Sequence, residues 1–170
     1  MLKRFYPDRM EASVYGIAFQ EWYDKGFRGL IFDIDNTLVM HGADADEKAI
    51  QLMGELKKMG FAVCLLSNNK QERVERFNRE IHVDYIFNAH KPSGGNYRRA
   101  MELMGTSLKD TLFIGDQLFT DVYGARRIGM ANILVKPIDP KEEIQIVLKR
   151  YLEKIVLFFY NRKLRKQSEQ

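Results

Sequence analysis

Residues Gly29–Val39, GLIFDIDNTLV, decide the fold. Leu30, Ile31, Phe32 and Ile34 form a nearly unbroken apolar run, the pattern of a strand covered on both faces rather than one with a wet side. Asp33 and Asp35 interrupt the end of that run. Two carboxylates so close at the edge of a core repel each other and lose hydration, which costs several kcal/mol per ion unless something compensates.

A chain of 170 residues, 45% of them hydrophobic, can bury a real core and is expected to form one domain. The formal net charge is +4, and residues 139–170 hold eight Lys/Arg against five Asp/Glu, so three of the four excess charges lie in the tail. That bias permits an acidic partner without requiring one. The single cysteine, Cys64, sits in the apolar run FAVCLL and reads as a buried strand thiol, so no disulfide forms within a monomer. The N-terminus MLKRFYPDRM has no signal-peptide core, and no segment reaches the roughly 18 apolar residues of a membrane span. A cytoplasmic protein is expected, with a peripheral position at the inner face of the membrane left open by the tail.

Outward from the first strand (28–35) the pattern alternates. An amphipathic helix over 45–59 ends at Gly60, and the strand FAVCLLS follows; next come a polar helix QERVERFNREI, a short VDYIF, and a helix through NYRRAMELMG. The strand TLFIG, a short helix DVYGARRIG over 121–129 and the strand ANILVKP complete the core. Short apolar strands alternating with helices predict an α/β fold, a Rossmann-like parallel sheet with helices on both faces. Ligands of such sheets bind at the carboxyl ends of the strands. Here those ends read DIDNT, SNN, KP and GDQLFTD, which together supply carboxylates, a lysine, a serine and amides. That is the chemistry of a phosphate held beside a divalent metal.

Asp33-x-Asp35-x-Thr37, Ser67 after a hydrophobic strand, Lys91 before a proline, and Gly115-Asp116-x-x-x-x-Asp121 resemble, in order, the four signature motifs of the haloacid dehalogenase (HAD) superfamily. The forms LIFDIDNTL, LLSNN, HKP and IGDQLFTD, with an aromatic-rich leader, are similar to the YqeG-like group related to mitochondrial phosphatidylglycerophosphate phosphatases. The resemblance implies a Mg²⁺-dependent hydrolase of phosphoric monoesters. Asp33 would be the nucleophile that forms an aspartyl-phosphate, and Asp35 the general acid/base. Asp33, the backbone carbonyl of Asp35 and Asp116 would hold Mg²⁺. Ser67, Asn68 and Lys91 would bind the phosphoryl group, with Lys91 also beside the nucleophile. Asp121 would orient Lys91 or a metal-bound water, and Thr37 would support the turn. His41, His82 and His90 show no zinc spacing and are given no role.

About thirty residues separate Asp35 from Ser67, and fewer separate Ser67 from Lys91, which leaves no room for a cap domain. The expected organisation is a leader over 1–27 packing on the core, a catalytic core over 28–138, and an amphipathic helix with a basic end over 139–170. In the tail, Ile144, Val147, Leu148, Tyr151, Ile155 and Phe158 recur at helical spacing before Arg162, Lys163, Arg165 and Lys166. This stripe suits either a membrane interface or packing on the sheet. The partner implied by the resemblance is a phosphorylated substrate. Three readings stay open: a phosphatase of a membrane-lipid phosphate such as phosphatidylglycerophosphate, with peripheral contact to an anionic membrane; a soluble phosphatase of small molecules or nucleic-acid ends, in which oligomer contacts replace the cap; and a catalytically weak binding protein of the same fold. Nucleic acid is not expected as a partner, and a homo-oligomer is left open.

Overall fold

Six strands build the sheet: β1 (Arg9–Glu11), β2 (Gly29–Phe32), β3 (Ala62–Leu66), β4 (Asp84–Ile86), β5 (Thr111–Gly115) and β6 (Ala131–Val135). The structure is a computed structural model that describes residues 2–139 and 144–168. Every pairing is parallel, in the order β1-β6-β5-β2-β3-β4, so β2 and β5 lie side by side at the centre. All residues of β2 and β5 are buried, as an apolar run with covers on both faces requires.

Alternation along β2 sends Leu30 and Phe32 to one face and Ile31 to the other. The first face packs on α1 (Phe19–Asp24), α2 (Glu47–Met59) and α3 (Gln71–Asn78), through Trp22, Leu52, Met53, Leu56, Val74 and Phe77. The second packs on α4 (Gly95–Met104) and α5 (Tyr123–Arg127), and Cys64 lies there, fully buried. The carboxylate of Asp46 caps α2 by accepting from the Ala49 amide at 2.9 Å, and Gly60 ends the helix in the left-handed region at φ 97°.

Three boundaries differ from expectation. The leader supplies strand β1, paired through Arg9↔Ile133 and Glu11↔Val135; a three-residue edge strand has no alternation long enough to read. The first strand stops at Phe32 instead of running to Asp35. The Asp33 amide makes one more bond to the Ile114 carbonyl at 3.0 Å, and the chain then turns through Asn36 at φ 61°, a conformation asparagine tolerates. The helix expected over 121–129 begins earlier, as a π-helical turn Leu118–Val122 that runs into α5.

The last element is α6 (Ile144–Ser168). Its inner face presents Glu153, Val156 and Tyr160 to the Leu118–Val122 turn and to the N-terminal turn Leu2–Phe5. The side chains of Ile144, Val147, Leu148 and Lys166 lie outside the described residues. Tyr151, Ile155 and Phe158, the rest of the stripe, point into solvent.

Candidate active site

The turns after β2, β3 and β5, with the loop after β4, surround one small cavity lined by Asp33, Asp35, Ser67, Asn68 and Lys91. Lys91 is nine-tenths buried, and its ammonium donates to Asp33 Oδ1 at 2.6 Å and to Asp121 Oδ1 at 2.8 Å. The other Asp121 oxygen accepts from the Gln117 amide at 3.0 Å. A Cβ at residue 115 would overlap the Asp121 carboxylate, so glycine at that position makes room for the acid. Thr37 Oγ1 donates to Asp116 Oδ1 at 3.2 Å, which ties the turn after β2 to the end of β5. The residues expected at the four strand ends are thus brought together.

One oxygen each of Asp33, Asp116 and Asp121 lies within 4.8 Å of the others, and all three residues are buried. Lys91 pairs with both Asp33 and Asp121, so two of the three carboxylates share one positive charge. Burial pushes the Asp33 carboxyl up to about 6; Lys91 pulls against that shift and Asp121 adds to it. Burial also works against the Lys91 ammonium, but Asp121 and Asp33 outweigh it and hold the amine above the ordinary lysine range. A hard divalent cation matches this all-oxygen donor set. Both Asp121 oxygens already accept a donor, whereas among the described residues only Lys91 donates to the Asp33 carboxylate. The geometry therefore leaves Asp33 more room than Asp121 to meet a cation directly. Saturating Mg²⁺, at a hundredfold excess over Kd, should stabilise the fold by about 2.7 kcal/mol. For a domain of this size that is a Tm rise of roughly 5–10 °C. Calorimetry checks it, and Asp116→Asn should remove most of the rise; an equal rise in that variant excludes the cluster as the cation site.

Asp35 is gripped by three donors. Its carboxylate accepts from the Gly42 amide at 2.8 Å, from Arg73 Nη2 at 2.8 Å and, closely, from Asn69 Nδ2. Burial raises its carboxyl, but the Gly42 amide and Arg73 outweigh burial and hold it below the usual carboxylate range. Arg73 and Asn69 were not singled out in the sequence. Asn69 stands in the SNN run, but Arg73 reads as one more polar residue on an exposed helix, 38 positions away.

Ser67 is buried, and its Oγ accepts from the Asn69 amide at 3.2 Å and from Asn69 Nδ2 at 3.0 Å. The Asn68 side chain is engaged with the Lys91 backbone, accepting from its amide at 2.7 Å and donating to its carbonyl at 3.3 Å. Asn68 thus fixes the loop that delivers Lys91, and its own amide has no hydrogen-bond partner among the described residues. His41, Gln117 and Thr120 also line the cavity. Only one helix and its flanking loop lie between β2 and β3, and one between β3 and β4, so no cap domain is inserted at either place among the described residues.

Residues 88–137 match the model of the HAD-hydrolase-like family. The chain is 34% identical over 165 residues to a probable phosphatase, YqeG, of Bacillus subtilis, covering 96% of each chain. It is 26% identical over 167 residues to the chloroplastic/mitochondrial phosphatidylglycerophosphate phosphatase 1 of Arabidopsis thaliana, covering 91% of this chain and 47% of the plant protein. The fold is shared with the cobalt-bound deoxy-D-mannose-octulosonate 8-phosphate phosphatase of Haemophilus influenzae, at TM-score 0.54 and 13% identity over 65% of this chain and 69% of that one. With a relative matched along nearly its whole length, the chain belongs to the HAD-like hydrolases and is a phosphatase of phosphoric monoesters.

Proposed function

We propose that the protein hydrolyses a phosphomonoester through an aspartyl-phosphate on Asp33, and that its substrate is a lipid phosphate at an anionic membrane surface, phosphatidylglycerophosphate being the model. An Asp33 oxygen attacks phosphorus, the ester P–O bond breaks, and Asp35 gives its proton to the departing alkoxide. Water then attacks phosphorus, Asp35 takes its proton, and inorganic phosphate leaves as the Asp33 carboxylate is regenerated. Lys91 holds Asp33 in place and offers positive charge to the phosphoryl oxygens, beside the amide of Asn68 and the hydroxyl of Ser67. Mg²⁺ held by Asp33, the Asp35 backbone carbonyl and Asp116 would neutralise the phosphoryl charge. The observation that carries the chemistry is the Lys91 ammonium shared between Asp33 and Asp121 inside the cavity.

Support for the lipid comes from α6. Tyr151, Leu152, Ile155, Phe158 and Phe159 are all exposed on one face of it, followed by exposed Arg162, Lys163 and Arg165. No described helix is long and apolar enough to cross a membrane, so this face would lie on a bilayer. The helix packs on the Leu118–Val122 turn, next to the cavity, and an uncapped cavity admits a headgroup whose chains stay in the bilayer. Basic groups near an anionic surface contribute about 1 kcal/mol each. Changing Arg162, Lys163, Arg165 and Lys166 to Gln should therefore weaken vesicle binding and lower turnover of phosphatidylglycerophosphate in mixed micelles, with turnover of a soluble phosphomonoester unchanged. Flotation with anionic vesicles, paired with the two assays, decides it. Parental vesicle binding, or equal loss of both activities, favours a soluble substrate instead.

A further inference from the structure

The loop of residues 116–122 carries Asp116 and Asp121, yet its helical turn begins without a cap of its own, because the Gln117 side chain makes no capping hydrogen bond. The first amides of a helical turn lack partners within it, and a buried one must find an acceptor elsewhere. Leu118 is fully buried, and its amide donates at 2.8 Å to Glu153 Oε1, 35 residues away on α6. Glu153 is 6% exposed and lies beside the apolar patch of Leu118, Val122 and Val156. A buried carboxylate needs hydrogen-bond or charge partners, and the Leu118 amide is one that Glu153 has.

From this contact a chain of hydrogen bonds leads into the site. The next amide back, that of Gln117, donates to Asp121 Oδ2 at 3.0 Å. Asp121 Oδ1 accepts from Lys91 at 2.8 Å, and Lys91 donates to Asp33 at 2.6 Å. We propose that Glu153 is a positioning residue: from α6 its carboxylate caps the Leu118–Val122 turn, fixes Asp121 and, through it, Lys91. The C-terminal helix then belongs to the apparatus that cleaves the phosphate ester, and displacement of α6 reaches the site through this contact. The inference rests on the phosphatase reading for its effect on rate, though not for its effect on the loop.

Two measurements test it. Steady-state hydrolysis of p-nitrophenyl phosphate with Mg²⁺ is compared for wild type, Glu153→Ala, Glu153→Gln and a packing control, Val156→Ala. Glu153→Ala should lower kcat by about 10–100-fold, the usual effect of removing a group that orients a ligand or reacting residue. Glu153→Gln should regain most of the loss, because a carboxamide oxygen still accepts from the Leu118 amide. Val156→Ala should lower Tm and leave kcat close to wild type. If Glu153→Ala does not fold, Glu153→Leu fills the patch and takes its place. Hydrogen–deuterium exchange on the same proteins should show faster exchange over residues 117–122 in the Ala or Leu variant, with β2 and β3 still protected. Wild-type kcat in that variant, a Gln variant no better than Ala, or a loss of kcat shared by Val156→Ala overturns the proposal. A wild-type protein that hydrolyses no phosphomonoester sinks the phosphatase reading alone, and exchange then decides: unchanged protection over 117–122 overturns the Glu153 cap, and selective loss of protection sustains it.

Discussion

Asp33→Asn should remove phosphatase activity by roughly four orders of magnitude or more, the scale on which loss of a covalent nucleophile is felt, while the fold survives. The amide keeps the shape of the acid but cannot attack phosphorus, and it offers a cation only a neutral ligand. The sign of the stability change separates this from a general structural defect. Burial already pushes the Asp33 carboxyl up to about 6, so in the cation-free protein its ionisation near neutral pH opposes folding. Stability tied to this group is full below the ordinary carboxylate range and is lost as pH rises through 6. The neutral amide is free of that penalty, and Lys91 keeps Asp121 as a partner at 2.8 Å. The variant should therefore melt no lower than wild type without Mg²⁺, and gain less from Mg²⁺. Calorimetry and phosphate release on the same sample check both halves. Activity within tenfold of wild type would remove Asp33 from the role, and a collapsed Tm would make its loss of activity uninformative about chemistry.

Much of this site was legible because its residues stand where chain direction alone puts them. Asp33, Ser67, Lys91 and Asp116 follow apolar strands, and in a parallel sheet the ends of β2, β3, β4 and β5 open on the same side. What escaped has a common cause. Arg73 and Glu153 are charged residues on helices, where solvent is the default environment, and only the packing of a remote segment buries them beside Asp35 and Leu118. Strand β1 escaped because its three residues are recognisable only by their pairing with β6. The stripe on α6 was visible, but a helix apolar on more than one face does not say which face meets the core. Packing runs through Glu153, Val156 and Tyr160, and the stripe through Tyr151, Ile155 and Phe158 is left to solvent.

The other large effect is expected at Asp35. Asp35→Asn should slow turnover of an alkyl phosphomonoester by about 10²–10⁴-fold, the range for losing a general acid/base. The grip of Gly42, Arg73 and Asn69 holds the carboxylate ionised, which suits the second half of the reaction, where it takes a proton from water. In the first half it must carry a proton, and the monoanionic form of the phosphate ester is a source close at hand. The two halves can be separated by the leaving group. A nitrophenolate departs without needing a proton, so with that substrate the first step in the variant should remain comparatively fast while hydrolysis of the aspartyl-phosphate is slow. Phosphate should then accumulate on Asp33, visible by acid quench and mass spectrometry. Arg73→Gln provides the contrast: it keeps the acid and loosens its orientation, so it should cost less and leave no trapped phosphoenzyme. Equal slowing of the alkyl and nitrophenyl esters by Asp35→Asn, with no phosphate on Asp33 in either case, would mean that Asp35 supports the turn after β2 and moves no proton.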